Sequence, residues 1–505
     1  MDLLLPSDVV ANVRNGRGAG HRLYHGLREA ILDGRVGPGE RLPSTREFAA
    51  SLALSRNTVT EVYERLAREG YLEGKHGSGT YVAVHDAMPL RAPMRERAAS
   101  AHVSAWAKRL PRSRSVVPTR ELVHDFRPGL PDLANFPIET WRRLASYNLR
   151  AMSNDVGRYG DAPGHSRLRT AIARYLAHSR AVACTAADVV ICNGSQQALD
   201  LLARILVDPG TCVAIENPGY TPAGSIFAAM GATIVPVPVD DEGIVVERLP
   251  RTARVVYVTP SHQFPLGVEL SLARRKALLA FARHHGTVVV EDDYDSEFRF
   301  GGRAMESLQG LDRADRVVYL GTFSKVLFPG LRLGYVVAPP WLQGALTAAK
   351  WITDRHTSAL EQLVMADFIA EGHFRRHVKR MERVYRERRQ ALVASLVRYA
   401  GRQLTLLPSH AGLHVTGELP AGFDVEELVR RAQEAGVGLY SITPFYRGAF
   451  KPGLIFGYGA CKVSEIEEGA RRLGGILRSM GMPPAEGLEP STNGSQIGAG
   501  FCVSG

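Results

Sequence analysis

One lysine of the chain stands among apolar and hydroxyl residues instead of among other charges. Lys325 lies in the run GTFSKVLFPGLR, residues 321–332. Desolvation lowers the pKa of a lysine, and a neutral amine attacks an aldehyde to form an imine. The hydroxyls of Thr322 and Ser324 and the guanidinium of Arg332 supply hydrogen bonds that suit a phosphate dianion. This run therefore predicts a site for pyridoxal 5'-phosphate (PLP), with Lys325 as the catalytic amine.

A second run supplies the carboxylates that a pyridine ring needs. The sequence VVVEDDYD, residues 288–295, ends an apolar stretch with acidic side chains. A carboxylate beside the ring nitrogen keeps that nitrogen protonated, so that the ring can accept electrons. We expect Asp292 to take this position and Tyr294 to hydrogen-bond the phenolic oxygen of the ring.

Two further motifs suit the phosphate and the ring face. Residues 192–197, CNGSQQ, follow a predicted strand and open a predicted helix. The backbone N–H groups around Ser195 and Gln196 and the Ser195 hydroxyl would then cradle a phosphate. Tyr220, at the end of the sequence NPGY, is expected to stack on the ring. Each motif alone is usually a surface or capping element.

The N-terminal region has the pattern of a small helical DNA-binding domain. Apolar residues at helical spacing predict a first helix over residues 21–33. Ser44 and Glu47 form a capping-box pattern that begins a second helix, and Ser55 caps a third helix that ends at Gly70. Two short helices joined by a tight turn form a helix-turn-helix.

Residues 71–82, YLEGKHGSGTYV, predict two short strands around a glycine-rich tip, which is a β-wing. In a helix-turn-helix the second helix enters the major groove, where arginine suits guanine, asparagine suits adenine and hydroxyls suit phosphates or bases. A helical subdomain with merely solvated arginines is an equal alternative from the helix pattern alone. The expected DNA-binding residues lie at two helix starts and at the wing tip: Arg41, Ser44, Arg46, Ser55, Arg56, Asn57, Thr58, Lys75, His76 and Gly77.

Charge and composition limit the class of protein. The formal net charge is +11, and the first 120 residues hold 19 Lys and Arg against 12 Asp and Glu. Such an excess favours a polyanionic partner. No apolar run approaches the ~18–20 residues that span a bilayer, and the start of the chain does not resemble a secretory signal, so we expect a cytoplasmic protein. The five scattered cysteines argue against a disulfide framework and a zinc site.

The pattern along the chain predicts four segments. A winged helix-turn-helix domain occupies residues 1–84, and an Arg-, Ala-, Ser- and Pro-rich linker, with a short helix near residues 103–110, occupies 85–123. Helical patterns alternate with short β-rich runs over 124–480, which predicts a mainly parallel sheet covered by helices on both faces. The Gly-, Ser- and Pro-rich tail, 481–505, is expected to be disordered. The expected fold class is an α+β winged helix joined to a large α/β domain.

Residues 18–83 contain four characteristic strings: LPSTRE at 42–47, SRNTV at 55–59, LAREGYL at 66–72 and GSGTYV at 77–82. Together these strings resemble the winged-helix domain of GntR-type regulators. The resemblance implies DNA contacts by Arg46, Arg56, Thr58 and His76.

Five further strings lie within residues 125–480: YGDAPG at 159–164, residues 194–201, TPSHQFPLG at 259–267, residues 292–294 and residues 325–332. Together they resemble the fold-type I aminotransferases, which implies a PLP-dependent transferase fold with a smaller C-terminal α+β subdomain. The resemblance also implies a homodimer in which Tyr159 reaches the phosphate bound by the partner subunit. The sequence FPLG at 264–267 stands where many active members read NPTG, so the amide beside the phenolic oxygen is missing, and His262 or Gln263 is expected to replace it.

The order of the two halves is similar to that of the MocR/GabR regulators. The likeness implies a dimer in which each DNA-binding domain packs on the partner's large domain. It also implies that PLP or an amino-acid-type effector exchanges the Lys325 imine and so changes binding to a double-stranded operator. A competing function is an active aminotransferase with a vestigial winged helix.

The residue that would hold an effector carboxylate is open. The late strand that usually carries this arginine reads LIFGYG, residues 454–459, and contains none. Arg447 is the nearest candidate, and a solvated loop arginine is an equal alternative for it.

Overall fold

The computed structural model describes residues 18–75, 77–83, 103–110, 122–150, 157–301 and 306–481. The chain divides into two compact units, Met1–Val103 and Ser104–Gly505. The finer boundaries expected at residues 84, 123 and 480 stay a prediction. Most of the expected linker and the expected disordered tail from residue 482 onward lie outside the described residues. The described cysteines, Cys184, Cys192, Cys212 and Cys461, are free thiols.

The first unit has the helices and the wing that the sequence predicts. At the start of the second helix, the Ser44 side chain accepts from the Glu47 backbone N–H, and the Glu47 carboxylate accepts from the Ser44 N–H, so the capping box is confirmed. Leu23, Val59 and Leu66 lie in the buried core between the helices. The elements are α1 (Ala19–Leu32), α2 (Thr45–Leu52), α3 (Arg56–Arg68), β1 (Leu72–Lys75) and β2 (Gly79–Val82); β1 and β2 pair antiparallel.

The second unit is built on an eight-stranded sheet with the order β4-β11-β10-β9-β8-β5-β6-β7. Only β7 and β11 run against the other strands, so the mainly parallel sheet is confirmed. Its strands are β4 (Val189–Cys192), β5 (Cys212–Asn217), β6 (Thr233–Asp240), β7 (Gly243–Ile244), β8 (Val255–Val258), β9 (Val288–Asp293), β10 (Val317–Thr322) and β11 (Gly334–Val337). A separate pair joins β3 (His124–Asp125) to β14 (Val437–Gly438).

Both faces of the sheet are buried in apolar clusters. Successive side chains of a strand point to opposite faces, so neighbours in sequence enter different clusters. Val190 and Ile191 are neighbours on β4, yet they lie in two different hydrophobic clusters. The helices of this unit are α4 (Ala105–Arg109), α5 (Ile138–Arg150), α6 (Ser166–Ser179), α7 (Ser195–Leu206), α8 (Thr221–Ala229), α9 (Leu272–His285), α10 (Leu308–Leu311), α11 (Pro340–Asp354), α12 (Ala359–Ala370), α13 (His373–Ala400), α14 (Val425–Glu434) and α15 (Val463–Ser479).

A smaller antiparallel sheet forms the C-terminal part of the second unit, as the fold-type I resemblance implies. Its strands lie in the order β12-β13-β16-β15, with β12 (Thr405–Leu406), β13 (His414–Glu418), β15 (Tyr440–Ser441) and β16 (Gly453–Gly457). Over the described part of the chain, no helix is both long enough and apolar enough to cross a bilayer.

A buried ion pair ties the end of α6 to the central sheet. Arg180 Nε donates to Asp293 Oδ2 over 2.7 Å, and both side chains are almost fully buried. Tyr319 OH donates to the same carboxylate oxygen over 2.6 Å, and Arg180 Nη2 donates to Ser261 Oγ over 2.6 Å. The ion pair therefore links β9 and β10 to the loop after β8.

We expect Arg180→Met to lower the free energy of unfolding by about 3–5 kcal/mol, because it leaves the Asp293 carboxylate buried without its cation. Denaturation followed by tryptophan fluorescence measures this, since all four tryptophans lie in the second unit. The double variant Arg180→Met/Asp293→Leu should regain most of the loss. Arg274→Met, which breaks an ion pair with the more exposed Asp240, is the control; an equal loss there would contradict the prediction.

Candidate DNA-binding surface and cofactor site

The start of α3 presents polar side chains to solvent. Ser55 caps this helix, because its Oγ accepts from the Thr58 backbone N–H over 3.1 Å and lies 2.8 Å from Thr58 Oγ1. These two hydroxyls therefore already bond to the helix start. Arg56 and Asn57 are exposed, and within the described part of the chain no hydrogen bond or ion pair engages their side chains. They are free to reach a base edge or a phosphate.

Arg41, expected at the start of α2, lies instead beside the wing. It forms an isolated β-bridge with Tyr81, and a Cβ on Gly79 would come within 3.0 Å of its Nε. The residues before α2 therefore extend the wing, because Leu42 N–H also donates to the carbonyl oxygen of Thr80. Ser44 and Arg46 lie at the helix start, as predicted.

The structure describes one of the two cations expected at the wing tip, Lys75. Lys75 is exposed, lies 3.4 Å from the Glu73 carboxylate and sits over the ring of Tyr81. Gly77 has φ 72°, a left-handed conformation that glycine adopts without strain. His76 lies outside the described residues.

Lys325 follows β10 and points to a backbone carbonyl from a distant part of the chain. Its Nζ donates to Gly129 O over 2.9 Å. Burial lowers the pKa of Lys325 below its ordinary value, and the charges of Asp295 and Asp292 partly oppose that shift. A Cβ on Gly129 would lie 2.6 Å from Nζ, so a side chain at this position would displace the amine.

Asp292 lies at the end of β9 with one carboxylate oxygen unsatisfied. Tyr257 OH donates to Asp292 Oδ2 over 2.7 Å, whereas the buried Oδ1 has no hydrogen-bond partner among the described residues. Burial raises the pKa of Asp292 to about 6, against the hydrogen bond from Tyr257. A buried acceptor without a donor costs free energy, and a protonated pyridine nitrogen would supply that donor.

The phosphate-binding candidates meet because of the strand order. The start of β11 lies between the ends of β4 and β10, with Gly334 paired to both Cys192 and Thr322. Arg332 Nη2 donates to the carbonyl oxygen of Asn193 over 2.9 Å, and a Cβ on Gly194 would lie 2.8 Å from the same nitrogen. The guanidinium of Arg332 is thus held against the loop that opens α7.

Hydroxyls lie at the same edge of the sheet. Thr322 Oγ1 accepts from the Ser324 backbone N–H over 3.2 Å, and both residues are buried. Ser195 and Gln196 open α7, where backbone N–H groups point out of the helix start. These groups and Arg332 form a cradle of the kind that holds a phosphate dianion.

Tyr294 and His262 are joined to each other and to the C-terminal sheet region. Tyr294 OH donates to the backbone oxygen of His262 over 2.8 Å. His262 Nδ1 lies 3.0 Å from Asp295 Oδ2, and its Nε2 lies 3.2 Å from Ser409 Oγ. The His262 ring is therefore already engaged by a carboxylate and a hydroxyl.

The position of the missing amide is apolar. Phe264 packs in T-shaped contacts with Tyr220, Tyr294 and Phe445, at ring-centroid distances of 5.8, 6.4 and 4.8 Å. The Gln263 side chain donates instead to the carbonyl oxygen of Pro218 over 2.8 Å. Both side chains are thus bonded to other groups of the protein, and their role in place of the amide stays a prediction.

Tyr220 and Tyr159, the other two aromatic residues expected at the site, differ in exposure. Tyr220 is the residue before α8, and burial raises its pKa to about 12. Tyr159 is 81% exposed, with Arg355 over its ring. Such exposure of a large aromatic side chain leaves it available to a second subunit.

Arg447 is half-buried and not a solvated loop residue. Its backbone N–H donates to Asn217 Oδ1 over 2.8 Å, next to the end of β5. A Cβ on Gly224 would lie 2.7 Å from Arg447 Nη2, and the buried Nε has no hydrogen-bond partner among the described residues. The guanidinium therefore lies against α8, the helix that Tyr220 precedes, with one N–H unused.

Sequence reasoning missed three residues that shape this site. Gly129 accepts from Lys325, Tyr257 donates to Asp292, and Asp295 bonds His262. Tyr257 reads in the sequence only as part of an apolar strand, and Gly129 lies far before the lysine in the chain. The acidic run 291–295 did contain a signal for Asp295, because it offers more carboxylates than one ring nitrogen requires.

The fold and site define a winged-helix protein whose large domain takes PLP. An unsatisfied carboxylate oxygen on Asp292, a desolvated amine on Lys325 and a cradle around Arg332 fit the ring nitrogen, the aldehyde and the phosphate of this cofactor.

Comparisons with known proteins agree in both domains. Residues 19–82 match the bacterial regulatory proteins of the gntR family, and residues 129–473 match aminotransferase class I and II. The chain is 40% identical over 461 residues to the probable rhizopine catabolism regulatory protein MocR of Rhizobium meliloti, and the match covers 90% of this chain and 92% of that protein. It is 31% identical over 444 residues to the pyridoxine biosynthesis transcriptional regulator PdxR of Corynebacterium glutamicum, covering 87% and 91%.

Among solved structures, LysN, the α-aminoadipate aminotransferase of Thermus thermophilus complexed with N-(5'-phosphopyridoxyl)-L-leucine, is similar to the large domain. The TM-score is 0.69 at 34% sequence identity, and the match covers 75% of this chain and 97% of that one. The chain belongs to the MocR-type family, in which a GntR-type helix-turn-helix precedes an aminotransferase class I and II domain. It is a PLP-dependent, DNA-binding transcription regulator.

We expect Arg56→Ala to weaken operator binding by about 1–3 kcal/mol, because an exposed arginine at the start of the recognition helix loses its contact with a base or phosphate. A gel-shift titration with wild-type protein in parallel measures this. Arg68→Ala, at the other end of α3, is the matched control and should bind as wild type does. Unchanged affinity of Arg56→Ala would refute the assigned role.

Asp292→Asn should stabilise the cofactor-free protein at high pH. Because the folded-state pKa, about 6, lies above the ordinary value, the stability from the bound proton is lost as the pH rises through about 6. Between about pH 5 and pH 8 the variant should therefore gain about 1 kcal/mol over wild type in thermal denaturation.

The same variant should bind PLP about tenfold more weakly, since the charge-assisted hydrogen bond is lost. Absorbance titration with PLP checks this. Asp241→Asn, at an exposed turn, is the control for both measurements. A gain in stability that does not depend on pH would contradict the assignment of a buried, titrating Asp292.

Proposed function

We propose that this regulator senses PLP or an amino-acid-type ligand at Lys325, and that the occupant changes its affinity for an operator. The observation that carries the proposal is the unsatisfied Oδ1 of Asp292 beside a desolvated lysine at one edge of the sheet. A ligand shifts a conformational equilibrium only by its differential affinity for the two states. The ligand pocket and the DNA-binding domain must therefore be coupled within the dimer.

When bound, PLP supplies an aldehyde and an electron-accepting ring. Lys325 would provide the amine that holds the aldehyde, and Asp292 would keep the ring nitrogen protonated. Tyr220 would cover one face of the ring, and Tyr294 would hydrogen-bond its phenolic oxygen. Thr322, Ser324, Arg332, Ser195 and the N–H groups at Gln196 would hold the phosphate.

Two observations bear on the effector. The half-buried Arg447 has an unused Nε and lies against the helix that follows Tyr220, which supports a contact with the carboxylate of an amino-acid-type ligand. The relative PdxR is named for regulation of pyridoxine biosynthesis, which supports PLP itself as the effector. Binding of PLP alone, without an amino acid, distinguishes these alternatives.

We infer a homodimer as the working form. Tyr159 is 81% exposed although aromatic, and the apolar side chains of Trp351 and Ile352 are exposed as well. Ala162, Trp351 and Ile352 line one common cavity. A second subunit that covers this surface would bury these side chains and bring Tyr159 to its phosphate, as the family resemblance implies.

Regulation and not turnover is the expected role of the large domain. An active aminotransferase is the alternative, and the 34% identity to LysN supports it. Phe264 argues against full catalytic rate, because its aromatic contacts place an apolar ring where active members have an amide. Residual transamination is therefore expected to be slow.

Titration of PLP into the cofactor-free protein should change operator affinity by about 5- to 150-fold, the usual range of coupling between two sites. Fluorescence anisotropy of a labelled operator measures the change. The holoprotein should also show a visible absorption band that borohydride removes. Lys325→Ala should lack both the band and the response; a response that survives this substitution would sink the sensing proposal.

A further inference from the structure

A strongly basic segment lies on α13, outside both sites described above. Between residues 373 and 389 the sequence holds eight arginines and lysines against two glutamates. Outside this segment and residues 1–120, acidic residues slightly outnumber basic ones. The net positive charge of the protein therefore resides in the DNA-binding end and in this one helix.

The cations of α13 form a row on its solvent face. Positions i, i+3, i+4 and i+7 of a helix share one face, and four exposed residues follow this spacing: Arg376, Lys379, Arg380 and Arg383. The opposite face packs into the core through Phe374, Met381 and Tyr385. At a rise of about 1.5 Å per residue the row is about 10 Å long.

Carboxylates do not neutralise this row in the described part of the chain. Arg376 and Arg380 donate to backbone oxygens, of Glu371 and Asn135, which orient the guanidinium groups without cancelling their charge. No ion pair involves Lys379 or Arg383 among the described residues. In contrast, Arg386 one turn further along α13 is paired with Glu382.

The row borders a groove of about 640 Å³. Pro137 and Thr140 line it together with the cations, and none of its described lining residues is acidic. Four uncompensated charges spread over about 10 Å exceed what a single phosphate ion needs. A chain of phosphates matches both the length of the row and its charge, because duplex DNA carries one negative charge per about 1.7 Å of its axis.

We propose that this face of α13 binds the phosphate backbone of DNA that flanks the sequence read by the winged helix. The inference rests on the DNA-binding function of the protein. Arginine and lysine on phosphates release condensed counterions, and such contacts carry no base information. The face therefore adds affinity and salt dependence and leaves the operator sequence unchanged.

The test uses full-length holoprotein and a duplex that the wild-type protein selects from random DNA. The duplex is prepared in a long form with flanking DNA and in a short form trimmed to the protected sequence. The variant Lys379→Gln/Arg383→Gln removes two charges from the row. Lys276→Gln/Arg283→Gln, two exposed cations seven positions apart on α9, removes the same charge elsewhere and is the matched control.

On the long duplex the α13 variant should bind more weakly, and the slope of log Kd against log salt should fall by about 0.9 for each lost phosphate contact. The Kd of the variant divided by the Kd of wild type should accordingly fall about tenfold as the salt concentration rises from about 50 to about 200 mM. On the short duplex the α13 variant should bind with wild-type affinity. The control should bind both duplexes with wild-type affinity. Equal melting temperatures establish that the variants fold.

Four outcomes would overturn the inference. If the α13 variant bound the long duplex as wild type does, this face would make no contact with DNA. If the control lost as much affinity as the α13 variant, the effect would come from net charge alone. A changed oligomeric state of the variant in sedimentation would assign the face to contacts between copies of the chain. Failure of the wild-type protein to select any duplex from random DNA would contradict the DNA-binding function itself, and the inference with it.

Discussion

Burying carboxylates at the carboxyl edge of a parallel sheet costs free energy unless their oxygens find donors or cations. Glu291 accepts from two backbone N–H groups at the start of α10, and Asp293 is ion-paired with Arg180 through one oxygen. Asp292 has only a neutral phenol as donor, on Oδ2. The sheet therefore carries an uncompensated acid beside a desolvated lysine, and a cationic ring nitrogen is the group that relieves it. Asp293 Oδ1 also lacks a hydrogen-bond partner among the described residues, but Arg180 supplies a counter-charge to that carboxylate, whereas Asp292 is ion-paired with no arginine.

Phe264 forms an aromatic group with Tyr220, Tyr294 and Phe445 at the position where the family pattern has an amide. A regulator needs an occupant that stays long enough to bias a conformation, whereas an enzyme needs groups that move protons at each step. Phe264 contacts the rings of Tyr220 and Tyr294 and offers no polar group. The hydrogen bond between His262 and Ser409 connects the cofactor side of the sheet to the C-terminal region.

Much of the architecture was predictable from the sequence because its signals are local. The capping box at Ser44 and Glu47, the cap at Ser55 and the glycine-rich wing each depend on residues within a few positions of one another. Alternating β-rich runs and helices predicted the mainly parallel sheet, since parallel strands need crossover helices. Once the strands are parallel, their carboxyl ends share an edge, so Asp292, Ser195 and Lys325 were predicted to lie on one edge of the sheet. The strand order β4-β11-β10-β9 then made them neighbours. The exact boundaries of elements and the position of Arg41 differed.

By itself, then, the sequence determined the two domain types, the order of strands and helices along the chain and the residue types at the cofactor edge, because these follow from short-range spacing. Tertiary structure alone decided which groups finish the site. Lys325 donates to the carbonyl oxygen of Gly129 and Tyr257 donates to Asp292, although each pair is far apart in sequence. The side chain of Arg447 lies against α8. No local pattern encodes such pairs, since they arise only when strands that are far apart in sequence become neighbours in the sheet.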